Sequence, residues 1–352
     1  MITIKDVARE AGVSIGSVSN VLNKTSYVSS DMQESVMNAV EKLGYVPRTK
    51  AKRDKRLSTN CIGLIIPDIN NPFYPEMARG VEDLAVKNGY SLLLGNSDRN
   101  RDKESKYIEV LLKKKVDGIV IVKPQLSPKE IARLSAKCPL ILVDNAMNVD
   151  GNCDIINVDD IGGITAGMKL LYGYGHRRIA FISGLLESES SRMRLRAYEE
   201  FMESHGIAHH DELVKNGTYS WHSGYTCAVE LFRTVSPPTA IFAANDLMAI
   251  GAMKAANERK ISIPNEVSII GYDGIEMAQL VTPRLTTIRQ PKYETGSLAM
   301  ELLLKRIQNT NVGYIAAPKI TTLRTEVLHW ESVGYAVGGR LFESSDELPV
   351  FL

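Results

Sequence analysis

The sequence predicts an α/β protein in two parts, a small all-helical unit at the N-terminus and a larger unit of parallel sheets doubly wound with helices. Three observations carry that fold class. Helical stripes punctuated by cap and turn residues fill the first 47 positions; short apolar runs alternate with helix-length segments from Cys61 onward; and a basic stretch lies between them. At 352 residues the chain is long enough for a small module joined to a domain with a sizeable core.

Within the first part, Thr3 with Asp6 three positions later predicts a helix start. Val7, Ala8 and Ala11 then recur at helical spacing before Gly12 ends the run. Ser14 opens a second helix whose Val18, Val21 and Leu22 form an apolar stripe, leaving Ile15, Gly16, Ser17 and Asn20 on another face. A glycine-containing turn between two such helices is a helix-turn-helix. Ser30 with Gln33 predicts a further capping box, and Val36, Ala39, Val40 and Leu43 supply a third apolar face that closes a miniature core. Any small bundle would show three such helices, so the pattern alone fixes structure and not role.

The linker that follows, residues 48–57, has six Lys or Arg among ten positions. Up to Asn60, ten Lys or Arg face six Asp or Glu, an excess of four, whereas the whole chain is +1 and the remainder therefore −3. Where the charge sits, more than its total, governs attraction to phosphates. A solvated tether is the plain alternative for such a stretch.

In the second part the runs 62–66, 91–94, 118–122, 140–143, 179–182, 240–243 and 267–270 read as strands buried on both faces. Helices such as 74–87, 161–171 and 247–256 lie between them, and the same unit occurs in two halves. Ligands of open α/β sheets sit beyond the carboxyl ends of the strands. Asp68, Asn96, Asp98, Asp144, Asn245, Asp246 and Asp273 stand at those ends. One polar strand end is the ordinary result of turning in water, but so many carboxylates and amides suit a hydroxyl-rich ligand, a sugar or a nucleoside.

Other classes fit poorly. Hydrophobic residues at 44% and charged residues at 24% describe a globular chain, and no apolar run approaches the roughly 20 residues of a membrane span. The N-terminus lacks a basic cluster followed by an apolar stretch, so a cytoplasmic location is expected. Cys61, Cys138, Cys153 and Cys227 are widely spaced and read as reduced thiols. Gly173-Tyr174-Gly175 precedes a strand instead of following one, and Arg178 stands where a dinucleotide motif needs its third glycine. No Ser/His/Asp set is evident, and His209-His210-Asp211 reads as a solvated loop. No catalytic residue, cofactor or metal is expected.

Thr3-Ile4-Lys5-Asp6-Val7-Ala8, Ala11-Gly12-Val13-Ser14, Val18-Ser19, Val21-Leu22-Asn23 and Gly44-Tyr45-Val46-Pro47 closely resemble the headpiece of the lactose/galactose repressor family. The resemblance continues to about Ser332 through Pro67-Asp68-Ile69-Asn70-Asn71-Pro72-Phe73-Tyr74, Gly175-His176-Arg177-Arg178-Ile179-Ala180, Phe242-Ala243-Ala244-Asn245-Asp246, Gly271-Tyr272-Asp273 and Leu285-Thr286-Thr287-Ile288. It implies a helix-turn-helix headpiece over 1–47, a basic hinge over 48–60, a two-lobed domain like the periplasmic sugar-binding proteins over 61–332, and a C-terminal tail over 333–352. It further implies a transcription regulator, most simply a repressor. The partners would be a palindromic double-stranded operator, a small effector such as a sugar, and a second copy of the chain in a homodimer or tetramer. A sugar-transport component shares the fold but would need export and has no use for the headpiece.

By position the resemblance assigns DNA contacts to Thr3, Lys5, Ser14, Ile15, Gly16, Ser17, Ser19, Asn20 and Asn23, with Lys52 and Arg53 in the hinge. It assigns effector contacts to Phe73, Tyr74, Arg194, Tyr219, Asn245 and Asp273, and Asp144 is added to them from its place at a strand end, while Trp221 is as consistent with core as with a ligand platform. The sequence departs from the family at several places. Asn20 stands where Arg is frequent; Asn pairs with adenine as Arg pairs with guanine, so the preferred operator should differ there. Asp54 stands where a leucine wedge is usual, and a carboxylate cannot replace a wedge. Either Leu57 takes over with a register shift of almost one helical turn, or, as is expected here, the linker acts through its Lys and Arg charges alone. Ala197, Gly274 and Trp330 also differ from the usual Gly, Asp or Asn, and Arg.

Overall fold

The computed structural model describes residues 3–23, 28–43, 45, 58–145, 151–208, 210–311 and 317–336. Backbone contacts divide the chain into two compact units, one containing the first 58 residues and the other containing both sheets. The linker residues Ala51, Lys52, Arg53, Asp54 and Leu57 and the tail from 337 lie outside the described residues.

The N-terminal unit carries α1 (Ile4–Glu10), α2 (Ile15–Asn23) and α3 (Ser30–Leu43). Each start has a visible cause. The Thr3 backbone N–H and hydroxyl both donate to Asp6 Oδ2, at 2.8 and 2.7 Å, and the Ser17 N–H donates to Ser14 Oγ at 3.0 Å. The expected box at Ser30 is one residue late: Ser30 is already helical and the Gln33 N–H bonds the Ser29 carbonyl at 3.0 Å. Val7, Ala8, Val18, Val21, Val36, Ala39 and Tyr45 form the core, and the Ser35 hydroxyl donates to the Ala11 carbonyl at 3.0 Å to fasten α3 to the turn.

The larger unit opens with β1 (Cys61–Ile66), α4 (Phe73–Lys87), β2 (Ser91–Asn96), α5 (Arg101–Lys113), β3 (Gly118–Val122), α6 (Pro128–Ser135), β4 (Leu140–Val143) and β5 (Cys153–Val158). A second lobe follows with α7 (Asp160–Gly173), β6 (Ile179–Ser183), α8 (Glu189–Ser204), β7 (Val214–Asn216), α9 (Trp221–Leu231), β8 (Ala240–Ala243), α10 (Asp246–Glu258), β9 (Ser268–Asp273), α11 (Met277–Leu280) and β10 (Thr286–Arg289). The chain then returns through α12 (Lys292–Asn311), and the last elements among the described residues are β11 (Ile320–Leu323) and β12 (Glu326–Leu328). The first sheet has the order β11-β5-β4-β3-β1-β2 and the second β12-β10-β9-β8-β6-β7. The chain therefore passes between lobes three times, after β5, after β10 and between β11 and β12.

All seven expected strands form, and five more join them: β5, β7, β10, β11 and β12. Asp154 and Asn157 break the apolar run of β5, while β7 and β12 are edge strands of only three residues, too short to show periodicity. Two expectations need correction. The second sheet is not wholly parallel, because β12 pairs antiparallel with β10. Nor is every strand buried on both faces, since β2 is an edge strand whose Leu94 is exposed.

The Gly175-His176 motif has a structural explanation. His176 is buried, with Nδ1 2.9 Å from Thr239 Oγ1 and Nε2 3.0 Å from both Ser268 Oγ and the Gly334 carbonyl, so one ring ties together the starts of β6, β8 and β9. Burial holds it below the ordinary histidine range. Gly274, one of the family departures, sits at φ +67°, and a Cβ there would lie 2.8 Å from Arg289 Cα. The left-handed backbone just past β9, pressed against Arg289 at the end of its parallel neighbour β10, therefore demands glycine.

Candidate functional site

On the N-terminal unit, α2 buries Val18 and Val21 and leaves Ile15 and Gly16 exposed, with Ser17 and Asn20 partly so. That face is open because the apolar stripe lies on the other side of the helix. Two of its hydroxyls have local duties: Ser14 Oγ caps α2 and lies 2.9 Å from Ser17 Oγ. Thr3 and Lys5 are exposed at α1, while Ser19 and Asn23 fall on α2. A Cβ at Gly16 would meet only Ser14 Oγ, at 3.6 Å, so this glycine leaves an unobstructed step on the helix surface.

The second site is a closed cleft between the lobes, beyond the carboxyl ends of the strands. Its cavity volume is only about 20 Å³, the two lobes being shut on one another, and it is lined by Asn71, Phe73, Tyr74, Lys123, Asp144, Arg194, Tyr219, Asp273 and Gln290. The first lobe supplies the first five. Asn71 Oδ1 accepts from the Phe73 N–H at 3.0 Å and sets the entry into α4. Phe73 and Tyr74 then meet edge to face, with ring centres 5.1 Å apart. Lys123, at the end of β3, places Nζ 2.9 Å from Asp144 Oδ2, at the end of β4, and 2.8 Å from Ser190 Oγ on the opposite lobe. Burial pulls the Lys123 ammonium down, but Asp144 and the Tyr74 and Tyr219 hydroxyls outweigh it, and the net shift is well above the ordinary lysine range.

The second lobe answers with Arg194, Tyr219, Asp273 and Gln290. Arg194 is buried on α8; its Nε lies 2.8 Å from Asp160 Oδ1, its NH1 donates to the Ala244 carbonyl at 2.7 Å, and its plane covers the Tyr272 ring at 3.8 Å. Asp160 also accepts from the Tyr272 hydroxyl at 2.9 Å. Burial raises the Asp160 carboxyl despite Arg194, whereas the same carboxylate holds the Arg194 guanidinium charged against burial. Asp273 accepts from Gln290 Nε2 at 2.7 Å, and burial pushes its carboxyl up to about 6.

Tyr219 is held on several sides. Its hydroxyl bonds to Ser191, its carbonyl accepts from Asn245 Nδ2 at 3.1 Å, and its ring lies so close to Gly184 that a Cβ there would sit 2.1 Å from Tyr219 Cζ. Two cations of the other lobe approach the same ring, Arg99 at 5.5 Å and Lys123 at 5.6 Å. Nine described non-glycine residues have φ in the left-handed region, and six of them, Asp98, Arg99, Lys123, Asp144, Tyr219 and Asp273, stand on the loops around this cleft. Such conformations are uncommon for side-chain-bearing residues and persist where surrounding contacts impose them.

Of the residues expected at the effector, Phe73, Tyr74, Asp144, Arg194, Tyr219 and Asp273 come together here, and Asn245 does not line the space. Asn245 Oδ1 caps α10 by accepting from the Met248 N–H at 3.0 Å, and its amide supports Tyr219 from behind. Asp246 is likewise internal, accepting from Thr287 Oγ1 at 2.5 Å and the Ile275 N–H at 2.8 Å. Burial raises its carboxyl well above the ordinary range. Asp68, Asn96 and Asp98 organise loops: Asn96 accepts from the Ile69 N–H and donates to Asp98. Trp221 starts α9 and lies against His222, ring centres 3.5 Å apart and planes tilted by 31°, and does not line the cleft.

Asn71, Lys123 and Gln290 were missed. Lys123 ends an expected strand and could have been found from that position; Gln290 follows a strand that periodicity did not reveal. A second hollow, on the surface of the second lobe, is bordered by Arg177, Arg178, His205 and His210. Its arginines are engaged, Arg177 with the Tyr172 and His176 carbonyls and Arg178 with Glu212 and the Ser236 carbonyl. Among the described residues no group of three or more His, Cys, Asp or Glu is placed to hold a metal ion, and no helix is long and apolar enough to cross a membrane.

A three-helix reader unit joined in one chain to a two-lobed clamp with a polar, aromatic-walled cleft defines a DNA-binding regulator with an effector domain. The profile of bacterial regulatory proteins of the lacI family matches residues 3–48, and that of the periplasmic binding protein-like domain matches residues 168–328. The ribose operon repressor of Escherichia coli is 36% identical over 309 residues, covering 87% of this chain and 93% of the relative. A LacI family transcriptional regulator from Enterococcus faecium, solved with bound ribose, is 31% identical with a TM-score of 0.69 over 78% of this chain and 98% of that one. The lac repressor dimer bound to operator and the anti-inducer ONPF is 26% identical with a TM-score of 0.70, over 95% and 99% of the two chains. The chain belongs to the lacI family of bacterial regulatory proteins and is a transcription regulator, not an enzyme.

Proposed function

We propose that this regulator represses transcription as a homodimer on a palindromic operator, and that a neutral, hydroxyl-rich effector of monosaccharide size, bound in the interlobe cleft, sets its hold on DNA. The observation that carries the effector class is the pairing of charge in the cleft. The charged side chains that line it, Lys123 and Arg194 against Asp144 and Asp273, are equal in number, so the walls offer hydrogen bonds without a surplus of either sign. An ionic effector would leave one member of a pair unanswered in a poorly solvated space. The rings of Phe73, Tyr74 and Tyr219 suit the apolar face of a sugar, and the relative solved with ribose supports that choice.

On the DNA side, Ile15, Gly16 and Asn20 would meet base edges in the major groove, with Thr3, Lys5, Ser14, Ser17, Ser19 and Asn23 near phosphates and Lys52 and Arg53 adding charge from the linker. A single helix-turn-helix makes too few contacts for a specific site, so two half-sites are read. Exposed apolar side chains on both lobes, Val86 and Leu94 on one and Met277 and Leu280 on the other, support self-association. Ligand control follows if the effector prefers one arrangement of the lobes and that arrangement changes the spacing of the two readers.

A thermal-shift screen of sugars, sugar phosphates and nucleosides, followed by operator binding with and without each hit, tests this reading. A neutral monosaccharide should stabilise the protein and change operator affinity. Stabilisation by sugar phosphates alone would overturn the effector class, and a stabilising sugar without effect on DNA binding would overturn the coupling.

A further inference from the structure

Lys123 reaches from one lobe to Ser190 on the other, and the turn that begins at Lys123 is bonded, two residues on, by a buried carboxylate. Glu104, on α5, is fully buried. Its Oε1 accepts from the Gln125 N–H at 2.9 Å, and the Leu126 backbone adds a second interaction. Its Oε2 is the one buried side-chain polar atom without a hydrogen-bond partner among the described residues. Gln125 and Leu126 belong to the turn between β3 and α6, the turn that begins at Lys123. The same turn is tied at Lys123, whose N–H donates to the Val143 carbonyl at 2.8 Å and whose carbonyl accepts from Gln125 Nε2 at 3.0 Å.

A buried, half-satisfied acid is expensive to keep, and core packing alone would favour an apolar residue here. The charged groups around it do not neutralise it directly. Arg101, on its own helix, is engaged with Glu130 of α6 at 2.7 and 2.8 Å, and the Lys123 ammonium is turned into the cleft.

We propose that Glu104 is a positioning residue for the effector cleft, holding the turn that delivers Lys123 to Asp144 and Ser190, and that its protonation state sets how readily this turn opens. The consequence for effector binding rests on the cleft being the effector site; the behaviour of the turn does not. Burial pushes the Glu104 carboxyl up to about 7. In an opened turn it would return to the ordinary glutamate range, about 4.3. The closed turn therefore binds a proton that the open turn releases, and opening becomes easier as pH rises towards 7, then levels off.

The test uses the full chain without ligand and follows amide exchange at Lys123, Gln125 and Leu126 between pH 6 and 8, corrected for the intrinsic pH dependence of exchange. In the parent, protection at these amides should fall about tenfold across that range. Glu104→Gln keeps the acceptor but cannot titrate, and its protection should be flat with pH. Glu104→Leu removes the acceptor and should lower protection of Gln125 and Leu126 at every pH while the α6 amides stay as they are. A flat profile in the parent, or a slope that survives Glu104→Gln, overturns the proposal. Neither result bears on whether a sugar binds, so failure here and failure of the effector reading are separable.

Discussion

Asn245 and Tyr219 are joined by a hydrogen bond of 3.1 Å from the Asn245 amide nitrogen to the Tyr219 carbonyl, while the same side chain caps α10 through its oxygen. One residue thus starts a helix and steadies a cleft-facing ring whose residue sits at φ +64°. Asn245→Ala should cost about 1 kcal/mol for the lost cap and roughly 1–3 kcal/mol more for the carbonyl left unpaired. Asn245→Asp keeps the cap but sets a buried carboxylate oxygen against the Tyr219 carbonyl, so it should be destabilised at least as much as the alanine variant. Both variants should bind the effector less tightly by calorimetry at a temperature where they remain folded; parental affinity would show that Tyr219 needs no such support.

Lys123→Gln should shift the ligand-free protein towards a more open arrangement of the lobes. The substitution removes the ammonium that meets Asp144, Ser190 and the Tyr219 ring at once. Small-angle scattering would read this as a larger radius of gyration without ligand. An unchanged radius would mean that the hinge segments alone hold the cleft closed.

Asp273→Asn separates stability from binding. The carboxyl is held at about 6 against an ordinary 3.8, with burial as the main cause. A raised carboxyl pKa means that its contribution to stability is fully present below about 4 and is lost as pH rises through 6. The neutral amide escapes that loss, so at pH 7.5 the variant should be more stable than the parent by about 2–3 kcal/mol, with the difference vanishing near pH 4. Thermal unfolding across pH checks this, and the effector should bind the variant less well because an acceptor has become partly a donor.

Asn20→Arg should move the preferred operator towards guanine at one symmetric position, because a guanidinium matches the paired acceptors of that base. Selection of binding sites from random DNA, compared between parent and variant, reads the change. An unaltered base preference would place Asn20 away from base edges.

Much of the fold was legible because it rests on local periodicity. The α2 stripe of Val18 and Val21 is buried as its spacing predicts, and every long apolar run became a strand. What escaped was structure fixed by tertiary context. β10 reads Thr-Thr-Ile-Arg, and only its place beside β9 makes it a strand, so Gln290 at its end had no visible reason to face a ligand. The polar strand ends divided similarly. Asp144 and Asp273 enter the cleft, whereas Asn245 and Asp246 spend their hydrogen bonds inside the lobe. Residue type marks a place where polarity is needed but not which side of the loop will use it.

The left-handed backbone around the cleft has a bearing on attempts to retune this regulator for a new effector molecule. Side chains at 99, 123, 144, 219 and 273 ride on main chain that most amino acids enter reluctantly, so a randomised library there would be dominated by variants that distort their own loops, with Asn, Asp and Gly the tolerant choices. Asn71, Phe73 and Gln290 border the same space on ordinary backbone. Diversity at Phe73 should yield altered chemical taste at the smallest loss of folded protein, because Asn71 also sets the entry into α4 and Gln290 also holds Asp273.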